Sequence, residues 1–379
     1  MKERTISNPF VVGRYISDRY FCDRVEETAF LQKQIDNGRN VAIISSRRIG
    51  KSGLIEHLFA QPSVQEEFYT FFFDIYATQS VEELVYLFGK TIYEQLKPKK
   101  TAWAERFFQA ISSLRVGFRL DAQTGDPTFD LSIGDIQTPQ TTLDEIFNYL
   151  EAADKPCIVA IDEFQQIERY TEKNIEALLR TKIQRCKQTQ FIFAGSKRHL
   201  MSNMFSSPAK PFYQSAITMG LGPIPVSAYT DFTVQLFADR QKQIDREVVE
   251  TIYQRFEGCT WFVQMMMNEL FAMTPIDGEC KTDMLPQAFD NVIARQSIGY
   301  QEQLANLTPK QRQLLQAIAK EGHASNITSS AFIKKHRLPS ASSVQAALKP
   351  LMESDIVTSN NGQYHVYDYF FAEWLATMR

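Results

Sequence analysis

Over its first 220 residues the chain alternates short apolar runs with amphipathic stretches. Apolar runs at 41–44, 69–73, 158–161 and 191–194 have the length of buried strands. Residues 23–37 carry helical spacing, with Asp23 placed as a cap and Val25, Ala29 and Phe30 near one face. A helix over 52–60 is stopped by Pro62, and a strand over 67–76 and a helix over 81–96 follow. Residues 114–133 break the rhythm and predict two short strands around Gly125, a hairpin inserted into the domain. Helix 141–153, strand 157–161, helix 172–187 and strand 190–194 resume it. Such alternation predicts an α/β domain with a mostly parallel sheet covered on both faces.

Beyond a Gly/Pro-rich joint at 220–227 the strand signals stop. Residues 228–300 read as wholly helical, with helices at 230–242, 245–256 and 260–272, and the Met265–Met267 block reads as core filling. From 301 the pattern changes again. Helices over 309–320, 329–336 and 342–353 precede a hairpin turned at Asn360-Asn361-Gly362, where Asn-Gly supplies positive φ. Three helices and a hairpin outline a winged helix. The expected division is a lead-in over 1–20, an α/β core over 21–220, an all-α lid over 221–300 and a winged helix over 301–379.

Composition narrows the classes. A net charge of −3 leaves no global electrostatic footprint for nucleic acid, although residues 301–379 carry a local +2. The five cysteines are scattered without a CxxC pair, which argues against zinc and for free thiols in a reducing compartment. No apolar run reaches the length of a membrane span and no signal-peptide core opens the chain, so a cytoplasmic protein without membrane contact is expected. The five histidines are isolated, and neither HExxH nor GxSxG occurs.

The chemistry-bearing residues lie at the strand ends. Val41–Ile44 delivers the chain to Ser45–Gly50, and Lys51-Ser52 opens a helix. Backbone N–H groups in such a loop wrap phosphates, aided by the helix dipole, while a lysine reaches the β/γ-phosphates and a hydroxyl holds Mg²⁺. Arg47, Arg48, Ile49, Gly50, Lys51, Ser52 and Gly53 are therefore the candidate phosphate cradle, although Ser45 stands where the G-x-x-x-x-G-K-[ST] pattern has its first glycine. The run CIVAIDEFQQI at 157–167 ends a buried strand in two carboxylates. Asp162 can hold Mg²⁺, usually through water, with Ser52 as the hydroxyl ligand, and Glu163 is placed to orient or deprotonate an attacking water. FIFAGS at 191–196 brings a third strand to Ser196, a hydroxyl beside the γ-phosphate position.

With these residues in place, the chain resembles the archaeal-type AAA+ ATPases, close to the STAND group. Matching stretches are Phe21-Cys22-Asp23-Arg24 with Glu27 and Leu31, RRIGKS at 47–52, IDEFQ at 161–165, FAGS at 193–196 and YHVYDYFFAEWL at 364–375. The resemblance implies a P-loop AAA+ core with Walker A and Walker B motifs, a helical lid and a winged helix. It further implies Ser196 as the γ-phosphate sensor and Arg24 near the base. Three departures stand out: Ser45, a 211–215 stretch without the family's Arg, and Gly258-Cys259-Thr260 without the family's Pro. They leave ATP binding better supported than fast hydrolysis and the arginine finger unassigned among Arg47, Arg48, Arg180 and Arg198.

The expected function is an ATP·Mg²⁺-driven conformational switch with slow hydrolysis through Glu163. The alternative is an ATP-stabilised DNA- or protein-binding regulator with little turnover. A protein partner is expected, and DNA is the other candidate for the winged helix.

Overall fold

The computed structural model describes residues 6–96, 107, 110–111, 118–120, 127–129, 138–172, 174–360 and 362–378. It forms two compact units, one spanning Gly13–Tyr229 and the other joining the segment that ends at Val12 to Thr230–Arg379.

The first unit is built on five parallel strands: β1 (Val41–Ile44), β2 (Tyr69–Asp74), β5 (Cys157–Asp162), β6 (Thr189–Gly195) and β7 (Ile217–Gly220), in the order β2-β5-β6-β1-β7. Fully buried β5 and β6 explain the unbroken apolar runs 158–161 and 191–194 within them, as expected for a sheet covered on both faces. Phe71, Phe73, Val159, Phe191 and Phe193 join Phe88 and Phe147 in one core. Phe147 stacks on Phe191 at 5.8 Å and Phe164 lies 4.5 Å from Phe193. Within 114–133, β3 (Phe118–Leu120) and β4 (Pro127–Phe129) pair antiparallel, and the turn between them lies outside the described residues.

Helix α1 runs over Val25–Asp36 and α2 over Lys51–Ala60. The helix expected over 172–187 is shorter, Ile175–Ile183, and a 3₁₀ turn over Phe164–Arg169 precedes it. Two sequence expectations for α1 are corrected. Its N-cap is Arg24, in left-handed conformation, not Asp23, and its buried positions are Thr28, Leu31, Gln34 and Ile35. Val25 instead stands 70% exposed. Strand β7 was not foreseen either, because Met219 is its only buried residue.

The second unit combines helices Arg246–Arg255, Thr260–Met273 and Leu285–Ala305 with a C-terminal three-stranded sheet and helices Pro309–Glu321, Ser330–His336, Ala341–Glu353 and Tyr369–Thr377. The 228–300 stretch is not wholly helical, since Gln243–Ile244 pairs in parallel with Glu279–Cys280. Met266 and Met267 are fully buried, as core filling requires. Thr308 and Gln311 form a reciprocal capping box that starts Pro309–Glu321. The hairpin Val357–Asn360/Gln363–Val366 gains a third strand from Ala324–Ser325. Phe256, Phe262 and Phe289 pack around Phe370, and Tyr300 stacks on Phe371 at 4.9 Å, so helical part and winged helix share one aromatic core. The leading segment belongs to the same unit: Phe10 is fully buried, its carbonyl accepts from Asn268 Nδ2, and Asn8 Nδ2 donates to the Asn268 carbonyl. Among the described residues no helix is long and apolar enough to cross a membrane.

Candidate phosphate-binding site

Parallel register brings the strand ends to one edge of the sheet. Ile44 lies opposite Gly195, and Asp74 lies opposite Asp162. From Ile44 the chain turns through Ser45–Gly50 into α2. Its left-handed residues are Arg48 (φ 64°) and Gly50 (φ 101°), the latter at the N-cap of α2. A side chain at Gly50 would meet open space, so glycine is needed there for φ, not for room. Ser45 requires no such freedom; it is buried, and its N–H reaches the Gly195 carbonyl at 3.4 Å. Serine in place of the first glycine is therefore compatible with this loop. Fully buried Leu54, Ile55 and Leu58 anchor α2 in the core, which fixes where its N-terminus points.

The side chains named from sequence converge here. Ser52 Oγ donates to Asp162 Oδ2 at 2.5 Å, and Asp162 Oδ1 accepts the Glu163 N–H at 2.9 Å. Glu163 takes a left-handed conformation (φ 53°, ψ 38°), and its carboxylate meets the end of β6. There its Oε2 accepts from Ser196 Oγ at 2.6 Å and from Gln165 Nε2 at 2.5 Å. Buried Lys51 places Nζ 4.0 Å from Glu163 Oε1. Arg47 Nε donates to Ser196 Oγ at 3.2 Å, and its guanidinium lies 5.6 Å from the centre of the Tyr76 ring.

Other predicted residues play supporting parts. Ile49 is buried and its carbonyl accepts from Arg24 Nη2 at 3.3 Å. The same Nη2 donates to the Gly222 carbonyl at 2.7 Å, and Nη1 pairs with Glu27 at 2.6 Å. Arg24 is thus a buried brace between the loop and the 220–227 joint. The segment before it is fixed on α2: Phe21 stacks on His57 at 4.2 Å, and the Tyr15 N–H donates to Glu56 Oε2 at 3.4 Å. Gly53 lies beneath Phe21, whose ring is 3.5 Å from where a Cβ would stand. Arg48 contributes a left-handed backbone position to the loop.

Two residues escaped the sequence reading. Asp74 ends β2 beside Asp162; burial of its inner side raises its pKa above the ordinary carboxylate value, with Asp162 and Glu163 adding to the rise and Lys51 and the Tyr76 N–H opposing it. An acidic residue closing a buried run, as in IDE, was the available signal. Gln165 stood within the IDEFQ stretch, but its contact with Glu163 depends on the 3₁₀ turn that folds it back.

On the winged helix, Lys335 and His336 both reach Glu321 at 2.6 Å, and Lys349 lies 3.9 Å from Glu353. Two of the eight Lys and Arg of residues 301–379, Lys335 and Lys349, are therefore paired with carboxylates.

A parallel sheet whose inner strand β1 runs through a Gly-Lys-Ser turn into a helix, with β5, which leads into Asp162-Glu163, one strand away across β6, defines a P-loop NTPase. Residues 49–205 match the family model described as the KAP family P-loop domain, and residues 298–377 match that of a probable winged helix domain. The chain thus pairs a P-loop segment similar to the KAP family domain with a C-terminal segment similar to a probable winged helix domain. Solved structures share the fold across nearly the whole chain. The Walker-type ATPase PABY2304 of Pyrococcus abyssi aligns with TM-score 0.65 at 17% identity, covering 97% of this chain and 99% of that one. The Aeropyrum pernix ORC2 protein in its ADPNP-ADP complexes aligns with TM-score 0.57 at 13% identity, covering 99% and 96%. The Aeropyrum pernix ORC1 protein in complex with DNA aligns with TM-score 0.52 at 12% identity, covering 94% and 92%. No curated protein sequence matches the chain.

Proposed function

We propose that this protein binds ATP with Mg²⁺ and hydrolyses it slowly, using the nucleotide state as a conformational switch in the manner of AAA+ and STAND ATPases. The observation that carries this reading is the convergence of Lys51, Ser52, Asp162, Glu163 and Ser196 at the carboxyl ends of β1, β5 and β6. Backbone N–H groups of residues 47–52 bind the phosphates, and Lys51 neutralises the β/γ charge. Ser52 and Asp162, two oxygen ligands already 2.5 Å apart, suit a hard cation that takes its remaining ligands from water and phosphate. Mg²⁺ held there by Ser52 and Asp162 would offset phosphate charge. Glu163 accepts a proton from the attacking water while the γ-phosphoryl group passes from the β-phosphate oxygen to that water, leaving ADP and phosphate. Ser196 and Arg47 stand where the transferred group's charge develops. Arg24 holds the loop through Ile49 and keeps the base end of the site in register.

The shared aromatic core makes the helical part and the winged helix respond together, so a displacement of one carries the other. For the winged helix, a net charge of only +2 over residues 301–379 favours a protein surface over a DNA backbone as the partner, because phosphate contacts supply most of DNA affinity. The experiment is steady-state ATP hydrolysis with Mg²⁺, with and without duplex DNA, for the wild type and Glu163→Gln. Slow turnover abolished in Glu163→Gln supports the switch. Equal turnover in both would contradict Glu163 as base, and ATP binding without turnover in either would favour the regulator reading.

A further inference from the structure

We propose that Gln165 is a positioning residue for Glu163, holding the base in place once Ser196 turns to the phosphate; this rests on the ATPase reading above. Three observations carry it. Gln165 is a buried side chain, 4% exposed, whose amide N–H reaches Glu163 Oε2 at 2.5 Å. Its carbonyl oxygen has no hydrogen-bond partner, a position that only a strong bond from the amide's other end offsets. It also fills the space that Gly195 leaves open: a Cβ at 195 would lie 2.3 Å from Gln165 Oε1. The end of β6 therefore leaves room for this amide beneath the catalytic edge.

Donor arithmetic gives the role. Glu163 Oε2 accepts from both Ser196 and Gln165, while Oε1 faces Lys51. The Ser196 hydroxyl has one hydrogen, which it cannot give to Glu163 and to a phosphate oxygen together. When Ser196 turns to phosphate, Gln165 is the donor that remains on Oε2. It keeps Oε1, which Lys51 leaves as its ammonium turns to the phosphates, as the oxygen that takes the proton from water. Gln165 touches neither nucleotide nor water; it acts through Glu163.

Gln165→Met keeps the length and unbranched shape of the side chain and removes the donor. The expected result is a fall in kcat of about 10- to 100-fold, the scale of a misplaced reacting group, with ATP-analogue affinity within about 3-fold. A readout independent of turnover is the Gln165 side-chain amide resonance of nucleotide-free protein, identified by its loss in Gln165→Met. It should move when Glu163 is replaced by Gln. Full turnover in Gln165→Met overturns the proposal, as does an unmoved amide resonance, or loss of affinity in step with kcat. A wild type without ATP turnover overturns the ATPase reading and the proposal with it. Turnover lost in Glu163→Gln yet intact in Gln165→Met removes the proposal alone.

Discussion

Replacing Arg24 by Ala removes a guanidinium that is 3% exposed and tied at three points: Glu27 at 2.6 Å, the Ile49 carbonyl at 3.3 Å and the Gly222 carbonyl at 2.7 Å. Hydrogen bonds to a charged group contribute about 1.5–3 kcal/mol each. The Ile49 bond is long, and the Gly222 and Glu27 bonds lie partly open to water, so the low end of that range applies. The expected loss is about 4–5 kcal/mol, which in a unit of this size lowers Tm by about 9–18 °C. Arg24→Lys should recover part of it, since an ammonium restores the charge but lacks the planar fork that serves three acceptors. Differential scanning calorimetry, following the transition of the Gly13–Tyr229 unit, measures the loss. ATP binding should weaken in parallel, because the freed carbonyl belongs to the residue next to Gly50. A Tm for Arg24→Ala within about 2 °C of wild type would refute the brace, and so would full recovery by Lys.

Three further outcomes follow from the same geometry. Gly50→Ala forces a Cβ onto a φ of 101° where space is free but the conformation is not; the expected cost is about 1–3 kcal/mol in Tm-derived stability, with ATP affinity falling further because the loop N–H groups turn away. Ser196→Ala, which removes the Arg47 contact and one Glu163 donor, should lower kcat by about 10- to 100-fold and leave nucleotide affinity nearly unchanged in equilibrium binding. His365 is held below the ordinary histidine pKa by burial and then by His323, whose ring lies 5.1 Å away, while Glu257 opposes the shift. Its folded pKa is depressed, so the unfolded chain binds the extra proton first. Stability of the winged-helix unit should fall as pH drops below about 6.5, and His365→Gln should flatten that dependence in pH-resolved thermal melts.

The strand-and-turn placement of the motif residues was legible because each piece is local. Val41–Ile44 followed by Gly50-Lys51-Ser52, and Cys157–Ile161 followed by Asp162-Glu163, each place an apolar run against the polar group it delivers. The 16-residue helix Val81–Leu96 was legible in full, its eight buried positions repeating at helical spacing. What escaped depends on neighbours distant in sequence. Asp74 matters because strand register sets it opposite Asp162, and a single strand says nothing of its partner. Strand β7 hides because three of its four residues are exposed and only backbone pairing with β1 makes it a strand. The α1 face was misread since Val25 sits at the first turn, where tertiary contacts, not periodicity, decide burial. Ser45 looked like a defect by pattern, but the loop's positive φ angles fall at Arg48 and Gly50.

The central claim is that residues 47–52 with Asp162 form one ATP·Mg²⁺ site. Equilibrium binding of a fluorescent ATP analogue, titrated with and without Mg²⁺ to wild type, Lys51→Ala and Asp162→Asn, tests it most directly. The account predicts Mg²⁺-dependent binding in the wild type, loss of binding in Lys51→Ala and loss of the Mg²⁺ dependence in Asp162→Asn. Binding that persists unchanged in both variants, or a wild type that binds no nucleotide, would contradict it.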